Sequence, residues 1–443
     1  MKKVLILAYD FPPYVSVGGL RPYNWFKYLK EFGVEPVVIT RQWSNEYGSE
    51  LDYIAPSKSK ETIVEETDKG TIYRSPYKPN LSNRLLLKHG ENRFRIIRKL
   101  ISAYFELVQF LYVTGPKKEL YKIAKEYLKE NKVDAIIATG EPFVLFSYAS
   151  KLSKEFNIPW IADYRDPWSQ NKNRSGNFIL KQWNNYFEKK LLSTSTSAAT
   201  VSEFCKLQIK ENIQNKLIHI LPNGYDDELI NEVSCVEQNN EVLSIAFVGS
   251  IYKWHPWQSF ILCFCEYVIE NPKSKIQVNF YGVGDRDQIE GFISKKHPEL
   301  IHYFSFTPRI PNKEVIERLA QNNVMLLFND YSVLGTKIYD YLGVKRKILL
   351  CFSDDLEANK LKEKHYAIEE IEGVSDTLQA DLILETNSGL VVKDSKHLQL
   401  VLNDLWKEFS STKRIECNSI EVEKFSRKVQ VEKLASILKN SSN

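Results

Sequence analysis

The sequence predicts an α/β fold: two doubly wound domains, each a parallel sheet with helices on both faces, facing one another across a cleft. Three observations predict it. Short apolar runs such as KVLILA (3–8), VDAIIATG (133–140) and VMLLFND (324–330) read as strands buried on both faces, and they alternate with stretches of helical period. A polar, patternless stretch, DDELINEVSCVEQNNE (226–241), interrupts that alternation near mid-chain and reads as an interdomain link. At 443 residues and 43% apolar composition, the chain has enough material for two cores.

The elements follow in order. After the first strand, the glycines of YDFPPYVSVGGLRPYNW (9–25) are expected in a strand-to-helix loop, where backbone N–H groups can approach an anion or a sugar. LRPYNWFKYLKEFG (20–33) reads as a helix with Pro22 in its first turn and Gly33 as its stop. PVVITR (36–41) and GTIYRSPY (70–77) read as strands with a charged loop between them, followed by a long helical stretch over 83–130. Strands are then expected at 133–140, at IPWIADY and at AATVS and LIHILPNG, with helices between them. The second half repeats the alternation from LSIAFVGS through KILLCF, and EVEKFSRKVQVEKLASILK forms a last helix. The expected boundaries are 1–228 for the first Rossmann-like domain, 229–409 for the second, and 410–443 for a tail packing back on the first.

Composition narrows the function classes. Residues 1–228 hold 34 Lys and Arg against 26 Asp and Glu, and the remainder holds 26 against 30, so the first half is basic and the second acidic. The six cysteines lack CxxC pairs and metal-ligand spacing, and read as reduced thiols of a cytoplasmic protein. The opening residues do not read as a signal peptide, and LISAYFELVQFLYVTG is too short and too acidic to span a bilayer. Neither GxGxxG nor a P-loop is present, so a dinucleotide cofactor is not expected, nor is a resident metal or a nucleic-acid partner.

Several stretches can carry chemistry. In NDYSVLGTKIYDYLG (329–343), Gly335 permits a turn, Thr336 can cap the next helix and Lys337 adds a charge to its N-terminus, which makes a diphosphate site. Asp340 lies on the same face about 5 Å deeper, the step from a diphosphate to a ribose; a plain solvated Lys–Asp pair is the competing reading. In FVGSIYKW (247–254), Gly249, Ser250 and Lys253 can approach the same diphosphate. ADYRDPW (162–168) ends a buried strand: Asp163 must be paired, Arg165 can hold a phosphate or pair with an acid, and Asp166 can bind an acceptor hydroxyl. Arg84, Lys88, Arg93, Arg95, Arg98 and Lys99, with Lys117 and Lys118, flank an aromatic-rich amphipathic segment within 84–118 that suits an anionic membrane face, or else an ordinary core helix.

Taken in order, PPYVSVGGLRPYNW, DYRDPW, TVSEF, ILPNGYD, FVGSIYKW and GTKIYDYLG make the chain similar to the retaining GT-B glycosyltransferases of family four, which build bacterial surface polysaccharides. The resemblance implies a nucleotide-diphosphate sugar donor (UDP or GDP) held by the second domain. It implies a glycan or polyprenyl-linked acceptor held by the first; the cytoplasmic location, peripheral to the membrane, is expected from the cysteines and the 84–118 segment. Gly18 and Gly19 match the glycine loop that nears the donor, Thr336 and Lys337 match the diphosphate loop, and Asp340 matches the second glutamate of the Glu-x7-Glu pattern. The first glutamate is replaced by Ser332, for which Asn329 or Asp330 could substitute. YRDPW is similar to the "RD-aromatic" loop of a subgroup, which makes Asp166 the expected catalytic residue of the first domain; Lys337, aimed at the charge of the leaving diphosphate, is the other. A nucleotide-sugar 2-epimerase of the same fold and an inactive nucleotide-sugar-binding scaffold are the alternatives.

Overall fold

In the computed structural model, residues 1–14, 16–43, 51–171 and 178–440 are described. The chain forms two units, Met1–Pro222 with Lys428–Asn443, and Asn223–Arg427.

The first unit is built on eight strands: β1 (Lys2–Leu7), β2 (Val34–Arg41), β3 (Ile63–Glu66), β4 (Thr71–Ser75), β5 (Ala135–Gly140), β6 (Trp160–Tyr164), β7 (Ser197–Thr200) and β8 (Ile218–Ile220). Their order is β3-β4-β2-β1-β5-β6-β7-β8, parallel except for β3 against β4. Alternation along β1 explains the burial of both faces. Leu5 and Leu7 join one core with Ile136 and Trp160, while Val4 and Ile6 join the other with Phe26 and Val38. The second core is completed from the end of the chain by Val431, Leu434, Ala435 and Leu438 of the helix Arg427–Asn440.

The second unit has six parallel strands: β9 (Leu243–Val248), β10 (Ile276–Tyr281), β11 (Phe304–Thr307), β12 (Val324–Phe328), β13 (Lys347–Cys351) and β14 (Gly389–Val392), ordered β11-β10-β9-β12-β13-β14. In both sheets the strand order reverses direction once, between β1 and β5 in the first and between β9 and β12 in the second. At such switch points the loops leave in opposite directions and open a crevice beyond the strands' carboxyl ends, where α/β sheets bind ligands.

Several expectations change. The helix after β1 starts at Val17, so Gly18 and Gly19 lie in its first turn rather than in a loop, and Pro22 sits more than a turn inside it. The reason is Ser16, whose hydroxyl caps the helix by accepting from the Gly19 N–H at 3.1 Å. The stretch over 83–130 is three helices, Leu81–His89, Arg95–Val108 and Lys118–Glu130, with Gly90 and Gly115 at positive φ in the gaps between them. β3 has no expected counterpart because its residues are largely exposed and carry no apolar alternation. The stretch taken as a link is part of the second unit. Asp226 caps the short helix Asp227–Glu232, and Gln238 and Asn239 accept hydrogen bonds from Asn323. The break in the chain accordingly follows Pro222 rather than residue 228, and the helix Ser395–Thr412 runs unbroken through the expected boundary at 409.

Candidate functional site

At the switch point of the first unit, Asp163, Tyr164, Arg165 and Trp168 of the DYRDPW loop each have a structural partner. Asp163, at the end of β6, is clamped by Arg21, whose Nε and second terminal nitrogen lie 2.9 and 2.8 Å from its Oδ1, while the other terminal nitrogen donates to Leu221 O. Burial pushes the Asp163 carboxyl up and Arg21 pulls it back. Tyr164 donates to the buried Glu188, which also accepts from Ser169 and Asn212, so Glu188 fixes the far side of the loop. Trp168 stacks on Phe143 with ring centroids 4.8 Å apart. Arg165 turns back across the crevice to donate to Gly140 O at the end of β5. Asp166 is left exposed, its carboxyl raised by the surrounding protein against the pull of Arg165.

Arg165 also closes on the glycine turn. A Cβ added to Gly18 would lie 2.0 Å from Arg165 Nη1 and 2.8 Å from Asp10 Oδ2. The structure thus gathers Gly18, Gly19, Arg165 and Asp10 at one point. Asp10 was missed in the sequence because a single acid beyond the end of a strand carries no spacing signal; its one legible feature is its position, three residues past β1 at the switch point.

In the second unit the two expected loops meet at the corresponding place. Gly249, just past β9, has φ of 82°, a left-handed backbone that favours glycine, and open space surrounds it. The next residue, Ser250, accepts from Lys337 Nζ at 3.2 Å through its carbonyl. Lys337 is the first residue of the helix Lys337–Val344, and its ammonium lies 4.2 Å from the centre of the Phe247 ring. Burial lowers its pKa to about 8, with Asp330 opposing. Asp340, one turn on, makes no ion pair with Lys337 among the described residues, which disposes of the solvated pair. Burial raises its carboxyl to about 6, Arg427 lowers it and Asp226 adds to the rise. Thr336 stands at the N-cap without a side-chain capping bond, so the expected cap does not form. Lys253 is exposed on its loop and makes no ion pair among the described residues.

The positions considered for the missing glutamate are otherwise occupied. Asp330 Oδ1 accepts from Trp254 Nε1 at 3.1 Å and lies 2.8 Å from His255 Nε2, and its Oδ2 accepts from Gln379. Asn329 bridges Phe352 O and the Tyr331 N–H, and Ser332 is buried. This network holds the β12 loop in place, so neither Asn329 nor Asp330 is free to reach a ligand.

Residues 22–229 match the sequence profile of Glycosyltransferase Family 4. The chain carries a glycosyltransferase domain. No curated protein matches the sequence. Among solved structures, the transferase is similar to sucrose-phosphate synthase from Thermosynechococcus elongatus, at 12% identity and TM-score 0.54 over 100% of this chain and 96% of that one. It is similar also to the E. coli trehalose-6-phosphate protein bound with UDP-2-fluoro glucose, at 12% identity and TM-score 0.56 over 100% and 97%. A third is the UDP-forming trehalose-phosphate synthase of Burkholderia xenovorans in complex with glucose-6-phosphate, at 10% identity and TM-score 0.61 over 99% and 100%. At these identities the likeness is one of fold, and it extends over both units of the transferase, which has the two parallel-sheet domains of the GT-B type.

Proposed function

We propose that this glycosyltransferase moves a hexose from a UDP- or GDP-sugar to a hydroxyl of a glycan or lipid-linked glycan, with retention, in bacterial cell-surface polysaccharide synthesis. The observation that carries the donor half is Lys337: a cation with no carboxylate bound to it among the described residues, at the start of a helix, beside the open glycine turn after β9. Leaving diphosphate collects negative charge as the sugar–phosphate bond loosens. An ammonium and helix N–H groups already aimed at that point stabilise the transition state without reorganising. Asp340, one turn deeper, accepts from the ribose hydroxyls. In the first unit Gly18 leaves room for Arg165, which faces the ligand, and Asp166 accepts from the acceptor hydroxyl. Attack occurs on the face the diphosphate leaves, and a phosphate oxygen takes the proton. The fold is shared with proteins whose structures hold a UDP-sugar analogue and a sugar phosphate, which supports a nucleotide-sugar donor and a sugar acceptor.

Peripheral attachment to an anionic membrane belongs to the same reading. The helix Arg95–Val108 buries none of its residues, exposes Ile96, Ile97, Leu100 and Tyr104, and carries Arg95, Arg98 and Lys99. Among the described residues no helix is long and apolar enough to cross a membrane.

A thermal-shift screen of UDP- and GDP-sugars tests the donor half. One of them should raise the melting temperature of the wild type and not of Lys337→Ala, since a ligand that binds only the folded chain stabilises it. Equal shifts in the two proteins would remove the diphosphate site.

A further inference from the structure

We infer that the first unit holds a subsite for an anionic hexose, a phosphorylated or carboxylated acceptor sugar, formed by Asp10, Lys117 and Arg165 at the β1–β5 switch point. This rests on the transferase reading only in assigning the acceptor to the first unit.

The residues come together by topology. Asp10 follows β1; Arg165 follows β6 and reaches back to Gly140 at the end of β5. Lys117 immediately precedes the helix Lys118–Glu130, which runs back to the start of β5 and therefore begins at the sheet's carboxyl edge. Its ammonium lies 5.1 Å from the centre of the Tyr9 ring, next in sequence to Asp10.

None of the three is satisfied by the protein alone. Asp10 Oδ2 accepts from Ser16 at 2.8 Å, but its Oδ1 is buried and has no partner among the described residues. Arg165 uses only its Nε, leaving both terminal nitrogens without a hydrogen bond among the described residues. Lys117 has neither a hydrogen bond nor an ion pair among them, and burial lowers its pKa to about 8, with Arg41 adding to the fall and Asp10 and Glu106 opposing it. Arg41 differs: both its terminal nitrogens are used, donating to Tyr9 Oη and to the carbonyls of Tyr53 and Ala55.

A buried polar atom without a partner, as Asp10 Oδ1 is among the described residues, costs roughly 1–3 kcal/mol and is satisfied by a ligand hydroxyl, while the half-buried Arg165 and Lys117 keep donors open beside it. The charges say which. Two cations with free donors face one carboxylate with a free acceptor: the carboxylate suits a sugar hydroxyl and the cations suit a phosphate or carboxylate. Tyr14 stacks on Trp43 at 3.9 Å between centroids, and Tyr53 packs edge-on against Tyr9, the residue before Asp10.

Titration calorimetry on the full chain with glucose, glucose 6-phosphate, glucuronate and UDP tests the inference. At least one anionic sugar should bind tenfold or more tighter than glucose. Lys117→Met should bring that ratio within about twofold of unity and leave UDP affinity unchanged, and Lys117→Arg should keep the preference. If Lys117→Met fails to fold, Arg165→Gln serves in its place. Absence of any preference for the anionic sugars overturns the subsite, as does a preference that survives loss of the cation. Parallel loss of UDP and sugar binding also overturns it, by giving the cations to the donor diphosphate. Failure of UDP to bind the wild type is a separate result, which removes the transferase reading instead.

Discussion

The Arg165 guanidinium fills the space that a side chain at Gly18 would need, with Nη1 2.0 Å from the Cβ such a residue would carry. Gly18 is required for clearance, since its φ is not in the left-handed region. Gly18→Ala should therefore displace Arg165 from Gly140 O. We expect a loss of about 1–3 kcal/mol of stability and a fall of at least tenfold in kcat/KM, read by thermal melts and steady-state kinetics. Gly19→Ala, whose Cβ would meet backbone at 3.4 Å, should do less.

The pH profile should be bell-shaped. The proposed donor site uses the Asp340 carboxylate, which forms on rising through about pH 6, and the Lys337 ammonium, which is lost on rising through about pH 8. In kcat/KM for the donor, Asp340→Asn should remove the acid limb and Lys337→Met the alkaline limb. Limbs unchanged in both variants would contradict the assignment.

Removing the Lys337 charge should stabilise the ligand-free protein. Its folded pKa is lowered, so between about 8 and the usual 10.5 the unfolded chain holds the proton more tightly, and stability rises with pH across that window. Lys337→Met abolishes the penalty at neutral pH, and the melting temperature should increase by a few degrees while donor-induced stabilisation disappears. A variant that melts lower than the wild type would argue that Lys337 is structural.

The two acids of the DYRDPW loop should separate cleanly. Asp163→Ala leaves Arg21 buried without its partner and should cost about 3–5 kcal/mol, seen in urea unfolding. Asp166→Asn, at an exposed site, should keep the wild-type melting temperature and donor affinity and lose at least tenfold in kcat/KM for the acceptor.

Membrane attachment should depend on both faces of the helix Arg95–Val108. Replacing Ile96, Ile97 and Leu100 with Ser, or Arg95, Arg98 and Lys99 with Gln, should each reduce co-sedimentation with vesicles containing anionic lipid, the second set only at low salt. Sedimentation that neither set changes would refute attachment through this helix.

How far the sequence was legible follows from where its signals come from. The strands KVLILA, VDAIIATG and VMLLFND were readable because continuous apolar runs bounded by turns have few other homes, whereas the switch points needed the strand order. The start of the helix at Val17 was not readable, because a Ser cap three residues before a glycine competes with the turn preference of a glycine pair. Lys337 and Asp340 were found by their spacing on one helix face. Asp10 and Lys117 lie 107 positions apart and meet only through the sheet order, and Glu188 secures a loop it does not adjoin in sequence. Local pattern reports which face a residue turns, while contacts between distant segments need the topology.

The return of the final helix to the first unit has a consequence for biosynthesis. Val431, Leu434, Ala435 and Leu438 close a core opened by Val4 and Ile6, yet all of Asn223–Arg427 must be translated in between. At about 5–20 residues per second, the nascent amino-terminal half waits on the order of 10–40 s with an apolar seam uncovered, long enough for a ribosome-associated chaperone to hold it until the carboxyl end emerges.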